Sequence, residues 1–184
     1  MAKIIIGLVG TLASGKGAVK KRLVEKYKAE DCRFSTILRD VLKRIDVSTT
    51  RENLQNVSTV LRQLFGEDLL AKAIAKDAST LNADIVVIDG IRRMSDIGHL
   101  LSLSNFILVA IDANPEIRYK RLVERNENAG DDKKTYEEFQ ADQNVEADKM
   151  IPEVIKVAKE KINNDGSLEE LYKQIDSIVL KYNK

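Results

Sequence analysis

Residues 7–19 read GLVGTLASGKGAV and follow the apolar run KIII, and no other stretch limits the fold of this chain so tightly. Residues 10–16 match the spacing G-x-x-x-x-G-K. The β-branched run at residues 4–9 predicts a strand in front of the loop. Val19, Leu23 and Val24 predict an amphipathic helix behind it. A glycine loop in that context turns backbone N–H groups and the positive end of a helix toward one point, which suits a phosphate. Gly10, Thr11, Leu12, Ala13, Ser14, Gly15, Lys16, Gly17 and Ala18 are therefore the expected phosphate cradle. Lys16 would add a point charge at the β- and γ-phosphates of ATP. The residue after the lysine is usually Ser or Thr, whose hydroxyl binds Mg²⁺ directly; here it is Gly17.

The remainder of the chain alternates strand and helix patterns. Apolar runs of strand length occur at residues 85–88 and 106–111, with a weaker one at 160–163 and a very short one at 33–35. Helical patterns cover 17–27, 37–45, 52–81, 94–102, 115–127, 136–150 and 168–181, the long one interrupted at Gly66. Continuous apolar strands separated by helices predict an α/β fold with a parallel sheet covered on both faces. At 184 residues the chain fits one domain, residues 1–184, with enough core to need no staples. Cys32 is the only cysteine and reads as a small core residue. A net charge of +1 implies no global attraction to nucleic acid or membrane. No run is long enough to span a bilayer and no signal-peptide pattern precedes the first strand, so the cytoplasm is the expected compartment. The polar stretch NENAGDDKKT, residues 126–135, reads either as a solvated loop or as a mobile lid.

Several motifs then extend a resemblance. The GKG ending of the loop resembles adenylate kinases, in which magnesium is held mostly through water and by carboxylates elsewhere. Ala18 departs from that family, which usually has Thr there. RFSTILRD, residues 33–40, resembles the family's T-G-D-x-L-R segment, with Arg39 at the acceptor-gripping position and Thr36 in place of Asp. VVIDGIRR puts Asp89 after an apolar strand, as in a Walker B carboxylate that orders magnesium waters. DGIRR is similar to D-G-F-P-R, so Arg93 or its neighbour Arg92 is the implied contact to acceptor phosphate. IDANPEIRYKRLVERN resembles the strand and lid-entry helix of nucleotide kinases. Arg118, Arg121 and Arg125 fall on one helical face there, with Arg121 and Arg125 the favoured phosphate ligands. The competing reading is a solvated face, because Glu116, Lys120 and Glu124 form ordinary helix pairs beside them. INNDGSLEEL, residues 162–171, resembles the last strand and loop of dephospho-CoA kinases and related archaeal P-loop proteins, which implies backbone contacts from Asn164 and Gly166 to the adenine.

The resemblance implies a three-layer P-loop domain with five parallel strands in the order 2-3-1-4-5. It also implies a helical acceptor insert at residues 47–81 and a short lid at 126–135. Three functions fit. One is an ATP-dependent kinase for a nucleoside monophosphate, using Mg²⁺ and small-molecule nucleotides, with Lys16, Asp89, Arg93, Arg121 and Arg125 in catalytic roles. The second is a dephospho-CoA kinase, and the third a non-catalytic ATP-binding regulator. A hydroxyl acceptor benefits from a carboxylate base. The region after the second strand reads CRFST and has none, while Asp40 comes a turn later, which favours the monophosphate. A GTPase switch is disfavoured because no N-K-x-D occurs. His99, the only histidine, is expected to be structural or at the surface.

Overall fold

A computed structural model describes residues 4–125, 131–142 and 149–182. Five strands, β1 (Ile4–Val9), β2 (Glu30–Arg33), β3 (Ile85–Asp89), β4 (Phe106–Asp112) and β5 (Glu160–Asn163), form one sheet. Its order is β2-β3-β1-β4-β5, and every adjacent pair is parallel. β1 is central, with Gly7 level with Ile88 on one side and Leu108 on the other. Successive side chains leave a strand on opposite faces, so each buried strand feeds two cores. Ile5, Val9, Val86, Ile88 and Leu108 pack against α2 (Phe34–Arg44), α4 (Leu69–Thr80), α5 (Met94–Leu101) and α8 (Ile151–Lys156). Ile4, Ile6, Leu8, Val87 and Val109 pack against α1 (Lys16–Tyr27) and α9 (Leu168–Tyr182). This is the expected three-layer arrangement, with the expected strand order. Among the described residues no helix is long and apolar enough to cross a membrane.

Several boundaries differ from the sequence reading for identifiable reasons. β2 ends at Arg33, where the short strand was expected to begin, because Phe34 already opens α2. It is an edge strand with three of its four residues exposed, so it carries no apolar run to recognise. The long pattern at 52–81 is two helices, α3 (Arg51–Phe65) and α4, separated where Gly66 takes φ 104°. α6 spans Pro115–Arg125. The pattern at 136–150 yields α7 (Tyr136–Asp142), while residues 143–148 lie outside the described residues, as do residues 126–130 of the expected lid. Beyond them a 3₁₀ turn, Asp131–Lys133, leads to Thr135, whose hydroxyl accepts from Glu138 N at 3.2 Å. This piece folds back on α6: Tyr119 Oη donates to Lys134 O at 2.9 Å, and Phe139 is fully buried beside Tyr119 and Tyr136. His99 is structural, its Nε2 lying 2.7 Å from Asp68 at the start of α4. Cys32 is half-buried, and burial, helped by nearby Asp77, pushes its thiol up to about 11. It is therefore inert at neutral pH.

One polar clamp fixes the helix that begins at the phosphate loop. Asp176 on α9 accepts from Arg22 Nε (3.2 Å) and Nη2 (2.7 Å), Lys26 Nζ (2.8 Å) and Tyr27 Oη (2.9 Å) on α1. The Arg22 hydrogen bond, with those of Lys26 and Tyr27, holds the Asp176 carboxyl well below the usual carboxylate range. A carboxylate with a depressed folded pKa adds stability that is present above its unfolded value, near 4, and is lost as pH falls through the folded one. Asp176→Asn is expected to lower Tm at pH 7 by roughly 3 to 6 °C, from a loss of about 1–2 kcal/mol. In thermal melts from pH 7 downward, the gap to the wild type should hold until about pH 4 and close below it.

Candidate active site

The loop between β1 and α1 is shaped by close approaches that only glycine permits. Gly15 caps α1 with φ 107°, and a Cβ there would strike the Asn164 side-chain amide. A Cβ on Gly10 would meet Ser14 Oγ at 2.5 Å and also the Ile111 carbonyl. Ala13 takes φ 59°, a left-handed conformation unusual for a residue with a side chain. The loop's carbonyls are held from outside. Asn164 Nδ2, buried beyond β5, donates to Ser14 O at 2.8 Å. Arg118, 5% exposed on α6, donates from Nη1 to Leu12 O at 3.2 Å and from Nε to Ala113 O at 3.1 Å. Lys16 Nζ donates to Gly10 O (2.6 Å) and Thr11 O (3.0 Å). Carbonyls engaged in this way leave the loop's N–H groups to form an anion-binding concavity. Among the described residues, Thr11 Oγ1 and Ser14 Oγ are buried with no hydrogen-bond partner. Buried hydroxyls of this kind call for a partner, which a bound water or a ligand in the loop would supply.

A cleft of about 590 Å³ opens over the loop, lined by residues 12–18 and by Asp89, Arg121, Glu124 and Arg125. Asp89 ends β3, level with Arg33 on β2. Burial alone would raise its carboxyl, but the 2.9 Å hydrogen bond from Lys20 and the fields of Lys20 and Lys16 outweigh it and hold it below its ordinary value. Arg121 reaches from α6 to the loop after β5, donating from Nη1 to Asn164 O at 2.7 Å and from Nη2 to Gly166 O at 3.5 Å. Lys16, Asp89, Arg121 and Arg125, chosen from separate segments of sequence, thus share one cleft.

Other chosen residues lie apart from it. Arg39 and Asp40 are exposed on α2, away from the cleft wall. Arg92 is exposed, and Arg93 faces Glu67 at 3.4 Å. Asn164 stands behind the loop, its side chain committed to Ser14 and its carbonyl to Arg121. Three features escaped the sequence reading. Asp31 on β2 sits beside Lys20 and Arg33, so β2 does bring a carboxylate near the cleft. Buried Asp96 accepts from the backbone N–H of Arg92 and of Arg93, both at 3.0 Å, and pairs with buried Arg62 of α3 at 2.7 Å. That pair fixes the turn after Asp89 and ties α3 to it. Asp96 was findable as the acid three residues into a helix. Arg62 carries no such signal, being one polar residue on an amphipathic helix.

This fold and loop define a P-loop nucleotide-binding domain of kinase-like architecture. The family model described as an AAA domain matches residues 9–140. A UPF0200 protein of Thermococcus gammatolerans is 32% identical over 173 residues, which cover 90% of each chain. The chain belongs to the UPF0200 family, built on this AAA-type P-loop domain. In fold it is similar to shikimate kinase of Bacteroides thetaiotaomicron (TM-score 0.61, 13% identity, 97% of each chain). It is also similar to a gluconokinase of Sinorhizobium meliloti (TM-score 0.55, 12% identity, 97% of this chain and 93% of that one).

The Asn164 contact is open to test. Removing its amide leaves a buried carbonyl without a donor, at a cost of about 1–3 kcal/mol. Asn164→Ala is expected to weaken nucleotide binding by about tenfold or more in calorimetric titration with a nucleoside triphosphate. Arg121, whose partner is the backbone carbonyl of residue 164, keeps its contact in this variant. Unchanged affinity would show that the loop holds its shape without Asn164.

Proposed function

We propose that this protein is an ATP-dependent phosphotransferase whose acceptor is a nucleoside monophosphate. The observation that carries the reading is the convergence of Lys16, Asp89, Arg121 and Arg125 on the cleft over the phosphate loop. Phosphoryl transfer asks a protein mainly for positioning and for cations around spreading negative charge. The loop N–H groups and Lys16 would hold the β- and γ-phosphates. Arg121 and Arg125 would approach the transferred group from α6. α3 and α4, within residues 47–81, would carry the acceptor side, with Arg39, Arg92 and Arg93 as its phosphate ligands.

The site suits magnesium that arrives with nucleotide. Among the described residues, no group of three or more His, Cys, Asp or Glu side chains is placed to hold a metal. Asp89 offers a hard oxygen beside the loop, and Mg²⁺ in nucleotide sites is commonly held by one or two carboxylates plus phosphates. When bound, it would neutralise charge on the β- and γ-phosphates. Gly17 contributes no hydroxyl ligand, so Asp89 would act on the metal's waters.

The monophosphate is favoured because Asp89, the carboxylate beside the loop, is held below its ordinary value by Lys20 and is a poor base. Asp89 is held by Lys20, and Asp31 by Arg33 and Lys20. A phosphate acceptor is already ionised and needs no base. The second reading, a hydroxyl acceptor such as that of dephospho-CoA, draws on Asp31. It also draws on the two fold neighbours, whose names specify acceptors that are not nucleotides.

Lys16→Ala should lower kcat about a hundredfold or more in a coupled ADP-release assay. Wild-type turnover by this variant would remove the central claim. Screening nucleoside monophosphates against dephospho-CoA then separates the acceptors. With a monophosphate, Arg39→Ala should raise its KM, whereas Arg125→Ala should lower kcat. Selective activity on dephospho-CoA, lost in Asp31→Asn or Asp40→Asn, would establish the hydroxyl reading instead.

A further inference from the structure

Lys20 lies one helical turn beyond Lys16 on α1, on the same side of the helix. Its ammonium is 2.9 Å from Asp89 Oδ2 and 3.5 Å from Asp31 Oδ2. Asp31 also receives Arg33, from Nε at 2.7 Å and Nη2 at 2.5 Å. Two cations and two carboxylates therefore alternate along the carboxyl ends of β2 and β3, beside the phosphate loop. The Lys20 side chain is only 15% exposed, so it is built into this edge and is not a solvated surface lysine. In sequence it disappears into the run VKKR, which reads as an ordinary basic helix face.

The position has a consequence for divalent cations. Lys20 and a hydrated cation require the same Asp89 carboxylate, and an ammonium beside a doubly charged ion is repelled by it. Nucleotide phosphates reverse that balance, since their own negative charge offsets the added metal. We infer that Lys20 gates metal entry: Asp89 receives a divalent cation together with a nucleotide and not ahead of it. Removing the lysine charge takes Lys16, Lys20, Arg33, Asp31 and Asp89 together from a net charge of +1 to 0, which no longer repels a cation. The inference rests on the proposed nucleotide site but not on turnover.

The test uses the full chain and Mn²⁺, with the free ion followed by electron paramagnetic resonance, in the presence and absence of a non-hydrolysable ATP analogue. Without nucleotide, Lys20→Met should bind Mn²⁺ about tenfold more tightly than the wild type. Lys20→Arg, which keeps the charge, should match the wild type. Lys20→Met combined with Asp89→Asn should lose the gain. With the ATP analogue present, the difference between Lys20→Met and the wild type should narrow to about threefold or less. If Lys20→Met does not fold, Lys20→Gln makes the same comparison. Equal Mn²⁺ affinity in the wild type and the neutral variant would overturn the gate. So would a gain that survives loss of Asp89, a Lys20→Arg variant behaving like Lys20→Met, or no Mn²⁺ uptake by any of these proteins. The expected Mn²⁺ pattern in a protein that transfers no phosphoryl group would refute the functional proposal and leave the gate standing. Normal transfer with no change in Mn²⁺ affinity would do the reverse.

Discussion

The cleft depends on the phosphate loop's carbonyls being held from behind. A strand-to-helix loop rich in glycine has many accessible conformations, and only some gather its N–H groups. Here Asn164 takes the Ser14 carbonyl and Arg118 takes the Leu12 carbonyl, both from elements more than a hundred residues further along the chain. The loop is therefore shaped by tertiary structure as well as by its own residues. Each buttress is also tied to something else. Asn164 O receives Arg121, so the cleft arginine and the loop share one support. The Arg118 guanidinium lies 5.3 Å from the ring centre of Phe139, so α7 packs on the same side chain that holds Leu12. Burying a guanidinium is costly unless its donors are used, and here two carbonyls and an aromatic face use them.

What the sequence made legible follows from what leaves a local signal. β1, β3 and β4 are buried on both faces, so each appears as an unbroken β-branched run. β2 sits at the sheet edge and reads EDCR, which has no strand pattern, and it begins three residues before the expected start. With it went Asp31, the carboxylate that changes the charge balance at the cleft. The loop and Lys16 were legible because their chemistry needs a fixed local spacing. The roles of Asn164, Arg118 and Lys20 were not, because each is defined by a partner distant in sequence or on another element. Asn164 is expected through resemblance to contact adenine with its backbone; the role of its side chain, which donates to Ser14 O, has no local signal.

Charge is distributed unevenly around the cleft. On the side of α6, Arg121, Glu124 and Arg125 line the cleft. On the side of β2 and β3, three cations are matched with carboxylates: Lys20 with Asp89, Arg33 with Asp31, Arg62 with Asp96. A matched pair has already committed its geometry and loses interaction energy if a ligand displaces one partner. The two sides therefore differ in what they can offer an anion. Arg121 can exchange backbone carbonyls for a stronger charged acceptor with little loss, since its present hydrogen bonds are to neutral groups. Lys20 and Arg33 would first have to leave carboxylates. A polyphosphate entering this cleft gains most by laying its charge against α6 and the loop.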